Sequence, residues 1–331
     1  MHVLIFGAAG MVGRKLTEHL AHSGRLGGRE VTALTLLDAV PAEKPAGFSG
    51  KLATASLDIA EPGAAARALA ARPDVVFHLA AIVSGEAEAD FDKGYRINLD
   101  GTRHILEAIR QEGIKSPYRA RLVFASSIAV FGAPFPERIG DEFFNTPLTS
   151  YGTQKAMSEL LLGDYSRRGF LDGIAIRLPT ICIRPGKPNK AASGFFSNIL
   201  REPLAGQEAV LPVPDTVRHW HASPRAAVGF LTHAATMDLA AMGARRALTM
   251  PGLSATVAEQ IEALRRAAGE KAVRLIRREP DPVIAKIVEG WPRNFDARRA
   301  VQLGFRPDAS FDEIVRIHID EELGGKPPVL R

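Results

Sequence analysis

The chain has a single cysteine, Cys182, among 331 residues. No internal disulfide can form, so a reducing, cytoplasmic setting is expected. Cys182 lies in the apolar run Ile181-Cys182-Ile183, where burial is expected rather than nucleophilic duty. No apolar run approaches the ~18 residues of a membrane-spanning helix, which argues against a membrane protein. The first residues lack the basic, apolar, small-residue order of a secretion signal. Internal repeats and low-complexity segments are absent. Neither sign of charge dominates: the net charge is +5, and the basic pairs Arg265-Arg266, Arg277-Arg278 and Arg298-Arg299 are interleaved with Glu259, Glu262, Glu270, Glu279 and Asp281. Such pairs are expected on solvated helix faces, so no nucleic-acid partner is expected. His219 and His221 stand two apart with no acidic or cysteine neighbour, so no metal site is expected. At 46% apolar and 24% charged residues, the composition is that of a soluble globular protein with a sizeable core.

The first forty residues carry a strand, a glycine turn, a helix and a second strand. His2-Val3-Leu4-Ile5-Phe6 is apolar and β-leaning, and Gly7-Ala8-Ala9-Gly10-Met11-Val12-Gly13 follows at once. A helix is expected over 15–22, with Leu16 and Leu20 on one side. Glycines at these points let the backbone turn tightly, approach a pyrophosphate and pack helix on strand. The helix N-terminus presents N–H groups and a positive dipole end to phosphates. Gly7, Ala9, Gly10, Met11, Val12 and Gly13 are therefore candidate cofactor contacts. A strand over 31–37 ends at Asp38. A carboxylate there accepts hydrogen bonds from ribose hydroxyls and repels a 2′-phosphate, which favours NAD over NADP; a plain capping aspartate is the alternative.

A second unit lies at Tyr151-Gly152-Thr153-Gln154-Lys155. Residues four apart on a helix share a face. An ammonium beside a phenol favours the phenolate, so the tyrosine pKa is expected to fall from ~10 toward neutral. Such a tyrosine can take a proton from an alcohol. Further strands are expected over 52–57, 74–79, 121–125 and 173–178, and a long helix over 91–111. Ser84 is expected in a loop beside a strand end, where it could touch substrate. Alternation of strand and helix up to about 179 argues for a parallel sheet covered on both faces, with ligands at the carboxyl ends of the strands.

The three-and-three glycine spacing together with Tyr151 and Lys155 resembles the extended short-chain dehydrogenase/reductase superfamily, of NAD-dependent epimerase/dehydratase type. The resemblance extends to Ser126-Ser127-Ile128-Ala129-Val130-Phe131-Gly132 and to Leu303-Gly304-Phe305-Arg306-Pro307. It implies an α/β protein: a Rossmann-type doubly wound parallel sheet over 1–179, a smaller C-terminal α/β domain over 180–323 that is mainly a substrate-binding lid and from which segments can return to the Rossmann sheet, and a flexible tail over 324–331. It implies Ser127, Tyr151 and Lys155 as the catalytic set. Around NAD it places Asp58 with Ile59, the strand end Leu79-Ala80-Ala81, Asn98, Ser126, Tyr151, Lys155 and Pro179. Asn98 in such proteins helps link the lysine to water. Substrate contacts are expected from Ser84, Ser127, Tyr151, Arg184 and Arg218, and a homodimer through the helices near 91–111 and 151–168.

Ile128 and Ala129 stand where sugar dehydratases carry an acidic pair, and neither exchanges protons. His219 stands in Arg218-His219-Trp220-His221 where nucleotide-sugar enzymes have an aspartate. The runs 177–189 and 218–224 are most similar to a branch that oxidises a four-carbon sugar acid at C2 with NAD. A nucleotide-sugar epimerase and a non-catalytic NAD-sensing regulator are the alternatives, all three acting on small molecules.

Overall fold

The structure is a computed structural model in which residues 1–186 and 192–326 are described. Residues 187–190 of the expected basic loop, and 327–331 of the expected tail, lie outside the described residues.

Seven parallel strands form the main sheet: β1 (His2–Phe6), β2 (Ala33–Asp38), β3 (Lys51–Ser56), β4 (Val75–His78), β5 (Arg121–Ser127), β6 (Asp172–Leu178) and β7 (Ala247–Thr249). Their spatial order is β7-β6-β5-β4-β1-β2-β3. Val3 to Phe6 and Val75 to His78 are buried without alternation. That pattern suits a parallel strand covered on both faces. From β1 the chain winds outward through β2 to β3, then returns to β4 on the other side of β1. The winding reverses there, so a crevice opens beyond the C-terminal ends of β1 and β4.

The expected boundary at 179 is crossed by the sheet. Ala247 of β7 pairs with Ala175 of β6, and α4 (Pro224–Thr236) sends Phe230 and Leu231 into the same core as β1 and β2. The remaining C-terminal segments build a second core from Phe195, Phe196, Ile261, Leu264, Phe311 and Ile314. In this part Arg218–Ala222 pairs antiparallel with Leu253–Thr256 and parallel with Thr180–Ile181.

Three helices bear on the site. α1 spans Met11–Ser23, α2 spans Gly101–Lys115 and α3 spans Ser150–Arg167. The single helix expected over 91–111 is interrupted. Phe91–Gly94 is α-helical, Tyr95–Asp100 widens to a π-turn, and α2 follows. Buried Asn98 lies in the widened turn, the kind of irregularity that frequents functional sites.

Candidate active site

The glycine turn is shaped for close packing on one side and left open on the other. Gly7 has φ +90°, and a Cβ there would lie 2.5 Å from the Ala80 nitrogen. A Cβ on Gly13 would lie 2.1 Å from the Gly7 carbonyl oxygen, so α1 can seat on β1 only with glycine in that position. Gly10 is exposed, caps α1 without any side-chain hydrogen bond, and starts a first turn with no acidic residue. The first turn of α1 is thus open toward an anion. Asp38 ends β2, and its Oδ2 accepts a hydrogen bond from the Ala9 N–H at 3.0 Å. This bond holds the carboxylate beside the loop it is expected to serve. Asp58 accepts from the Ala60 N–H at 2.9 Å and pairs with Arg96 at 2.8 Å. Ile59 is buried against Gly101 at the start of α2.

Tyr151, Ser127 and Lys155 converge because α3 can press onto the end of β5. The Thr149 hydroxyl caps α3 by accepting from the Gly152 N–H at 3.1 Å. A Cβ at Gly152 would lie 2.1 Å from the Ala129 carbonyl oxygen, so this glycine admits the close approach. The Ser127 hydroxyl accepts from the Ala129 N–H at 3.1 Å and lies near enough to the Tyr151 phenol to favour its ionised form. One turn on, the Lys155 ammonium donates to the Ala125 carbonyl at 2.8 Å and sits 5.6 Å from the Tyr151 ring centre.

The electrostatics depart from expectation. Burial raises the Tyr151 phenol above its ordinary pKa; the Ser127 hydroxyl and the Arg184 guanidinium oppose that rise without cancelling it. Burial pushes Lys155 down to about 7, partly offset by the Glu159 carboxylate. Around Tyr151 burial thus opposes the acidification expected from Lys155. Lys155 is itself desolvated and gives up its proton before the phenol does.

Of the expected substrate cations, Arg184 and Arg218 part company. Arg184 is largely buried and acts electrostatically on Tyr151. It donates to the Ile181 carbonyl and the Ser193 hydroxyl, each at 3.0 Å, and among the described residues no carboxylate pairs with it. Arg218 is half-exposed, donates to the Ser254 carbonyl at 2.9 Å and pairs with Glu259 at 3.4 Å, so its charge is already answered at the surface. Ser84 opens a short helix, Ser84–Ala89, rather than lying in a loop.

Other expected residues are committed elsewhere. The Ser126 hydroxyl donates to Glu159 at 2.6 Å. The Asn98 side chain binds the Ile82 backbone and the Gln154 amide, and the Asn98 backbone carbonyl accepts from the Thr102 hydroxyl at 2.7 Å. Leu79 and Ala80 back the glycine turn. Pro179, buried, leads from β6 into the first strand of the smaller sheet. Cys182 is fully buried and its thiol is pushed up to about 12 by that burial, which leaves it inert.

Glu159 and Arg177 were not singled out from the sequence. Arg177 grips Glu159 with two nitrogens at 2.9 and 2.7 Å, both side chains buried. The available signal was Arg177 itself, since an arginine in the apolar strand Ile174-Ala175-Ile176-Arg177-Leu178 requires a buried partner. His219 replaces an expected aspartate and works as a tie. Its Nδ1 meets the Pro292 carbonyl at 2.8 Å and its Nε2 meets the Thr180 hydroxyl at 2.7 Å. Pro292 leads to Phe295, which bridges to Ile139.

Residues 3–224 match the model of the NAD dependent epimerase/dehydratase family. The chain belongs to this family. It is 45% identical to a D-erythronate dehydrogenase of Cupriavidus necator, over 97% of this chain and 98% of that one. It is 40% identical to a D-erythronate dehydrogenase of Haemophilus influenzae, over 98% of this chain and all of the other. A solved structure described as the nucleoside-diphosphate-sugar epimerase from Agrobacterium tumefaciens is 66% identical, with a TM-score of 0.97 over 99% of this chain and 96% of that one. The family's cofactor is NAD, and this chain's residues fit it: an uncapped helix start, glycines that leave room for a pyrophosphate, and a carboxylate at the end of β2. The protein is accordingly an NAD-dependent enzyme of this family. No helix among the described residues is long and apolar enough to cross a membrane.

Proposed function

We propose that the chain oxidises the C2 hydroxyl of a small sugar acid, D-erythronate, to the 2-keto acid. The observation that carries this is Arg184. It is a largely buried guanidinium with no described carboxylate partner, close enough to Tyr151 for its charge to act on the phenol. A buried cation without a counter-charge is costly, and the planar fork of arginine matches a carboxylate with two parallel hydrogen bonds. A 2-hydroxy acid carries its carboxylate on the carbon next to the one that bears the reacting hydroxyl, so one cation near Tyr151 can hold it. The two dehydrogenases similar over nearly the whole chain support the same substrate.

In this proposal Tyr151 accepts the hydroxyl proton and Ser127 holds the oxygen as it becomes a carbonyl. NAD, when bound, supplies the ring that accepts the hydride from C2. Lys155 orients the nicotinamide ribose and, while charged, favours the Tyr151 phenolate. Gly7, Ala9, Gly10, Met11, Val12 and Gly13 hold the pyrophosphate. Asp38 holds the adenosine ribose, Asp58 and Ile59 meet the adenine, and Leu79, Ala80 and Ala81 line the crevice. Ser84 rims the substrate side. We propose cofactor-side and substrate-side units that divide near 179, with β7 and α4 returning to the first. We also propose a homodimer through α2 and α3, because Phe91, Met157 and Leu160 are exposed on these helices and the segment before them.

The alternative is nucleotide-sugar epimerisation, favoured by the description of the Agrobacterium tumefaciens structure. An arginine for the diphosphate would then be wanted, and Arg218 is already paired with Glu259. The deciding experiment follows NADH formation with D-erythronate and other four-carbon 2-hydroxy acids beside a panel of UDP-sugars. Net NADH with the acids is the expected result. Interconversion of UDP-sugars with no net NADH would give the function to the epimerase alternative.

A further inference from the structure

Lys155 is buried, so a positive charge on it has lost the support of water. Its only hydrogen-bond partner among the described groups is the neutral Ala125 carbonyl, and beneath it lies the Phe124 ring at 4.6 Å. The groups facing it are few. From β4 comes the His78 imidazole, held near pKa 3 by burial and then by Lys155 itself, hence neutral. From β5 come the Ala125 carbonyl and the Phe124 ring. From α3 come Tyr151 and, one turn beyond Lys155, Glu159. Among the described residues Glu159 is the one carboxylate that acts on Lys155, and it carries the Arg177 guanidinium on its far side.

Glu159 is also held more firmly than its distance from the chemistry would require. Its carboxylate receives the Ser126 hydroxyl at 2.6 Å, the Arg177 guanidinium at 2.7 and 2.9 Å, and the Asn145 amide at 3.0 Å. Ser126 is the residue before Ser127. Asn145 lies on the segment that leads into Thr149, the cap of α3. The Arg177 guanidinium in turn lies 4.8 Å from the centre of the Phe131 ring. One carboxylate thus joins β5, β6, α3 and the loop before the reactive tyrosine.

We propose that Glu159 is a positioning residue that keeps Lys155 cationic in the working enzyme, and so keeps the Tyr151 phenolate accessible. The chain of causes runs Glu159, Lys155, Tyr151. Opposite charges a helical turn apart favour each other's charged forms, and the cation then favours the phenolate. Arg177 fixes the carboxylate in place with two hydrogen bonds, at 2.7 and 2.9 Å. The inference concerns the tyrosine–lysine chemistry and does not depend on which alcohol is oxidised.

The test uses the full-length enzyme with NAD bound and needs no substrate. Tyrosinate formation is followed by ultraviolet difference absorbance against pH, and the Tyr151 contribution is isolated by subtracting the Tyr151→Phe titration. Glu159→Gln keeps the shape and removes the charge. Its Tyr151 midpoint is expected to rise by about one pH unit, a tenfold smaller phenolate fraction on the acid side, with NAD affinity changed less than about threefold. Because Glu159→Gln strands Arg177, the double variant Glu159→Gln/Arg177→Met is titrated as well; a neutral buried pair of similar volume is tolerated where a half-pair is not. The double variant is expected to show a rise of the same sign. A midpoint that stays put or falls in the folded variants would overturn the proposal and leave Glu159 as a structural tie only. Failure of D-erythronate as substrate would leave this titration unaffected.

Discussion

Replacing Arg184 by Met should separate a substrate anchor from a cation at the cleft rim. Arg184 donates to the Ile181 carbonyl and the Ser193 hydroxyl at 3.0 Å and has no described carboxylate partner. Methionine keeps most of the apolar stem and removes two neutral-acceptor hydrogen bonds, each worth about 1 kcal/mol. It also removes a charge that burial disfavours, so the folded state should lose no more than about 2 kcal/mol. Binding is affected far more. A carboxylate held by two charge-assisted bonds loses about 1.5–3 kcal/mol per bond, and a loss near 3 kcal/mol is about a hundredfold at 1.4 kcal/mol per decade. A second effect falls on kcat. Arg184 draws the Tyr151 phenol downward, so its removal leaves the base harder to ionise. Steady-state NADH formation with D-erythronate should therefore show kcat/KM down about a hundredfold, with KM raised, kcat lowered and NAD affinity retained. Arg218→Met is the control. It loses a half-exposed pair with Glu259, worth at most about 1 kcal/mol, and should change kcat/KM less than about fivefold. Near-normal kcat/KM in Arg184→Met, or a larger loss in Arg218→Met, would refute the anchor.

Tyr151→Phe keeps the ring and deletes the proton acceptor, so turnover should fall by about 10²–10⁴ while NAD affinity, measured by fluorescence titration, is nearly unchanged; a small loss would place the base elsewhere. Asp38→Ala should narrow the preference for NAD over NADP in kcat/KM, and a wild-type preference for NADP would contradict the ribose role of that carboxylate. Gly13→Ala should lower Tm and NAD affinity together, because its Cβ would lie 2.1 Å from the Gly7 carbonyl oxygen; an unchanged Tm would mean that α1 seats differently. Acid should destabilise the fold through its buried histidines: burial lowers His78 to about 3 and His219 and His318 to about 4. The unfolded chain takes up these protons below pH ~6.5 and the folded one does not. Stability should thus be intact above that pH and fall as the pH drops through about 4, by about 1.4 kcal/mol per pH unit for each histidine; a Tm flat from pH 7 to about 4 would refute it.

The parts legible in the sequence were those governed by local physics. A strand, a glycine turn and a helix placed Gly7, Gly10 and Gly13, because backbone sterics act within a few residues. The i, i+4 spacing placed Tyr151 and Lys155 on one face of α3, because helical periodicity does. Asp38 followed from the end of its strand. Tertiary structure alone decided the rest. Arg184 and Arg218 looked alike as arginines in lid segments; only packing buried the first near Tyr151 and paired the second with Glu259. That the Ser126 and Asn98 side chains are bound to Glu159, Ile82 and Gln154 could be seen only in the fold. The pKa of Tyr151 could not be foreseen, because desolvation depends on everything packed around a group and not on its neighbours in the chain. Glu159 meets Arg177, Ser126 and Asn145 across separations of 14 to 33 residues, and such a contact is set by the mutual packing of β5, β6 and α3. Periodicity names the face of a helix, and only the fold names what that face meets.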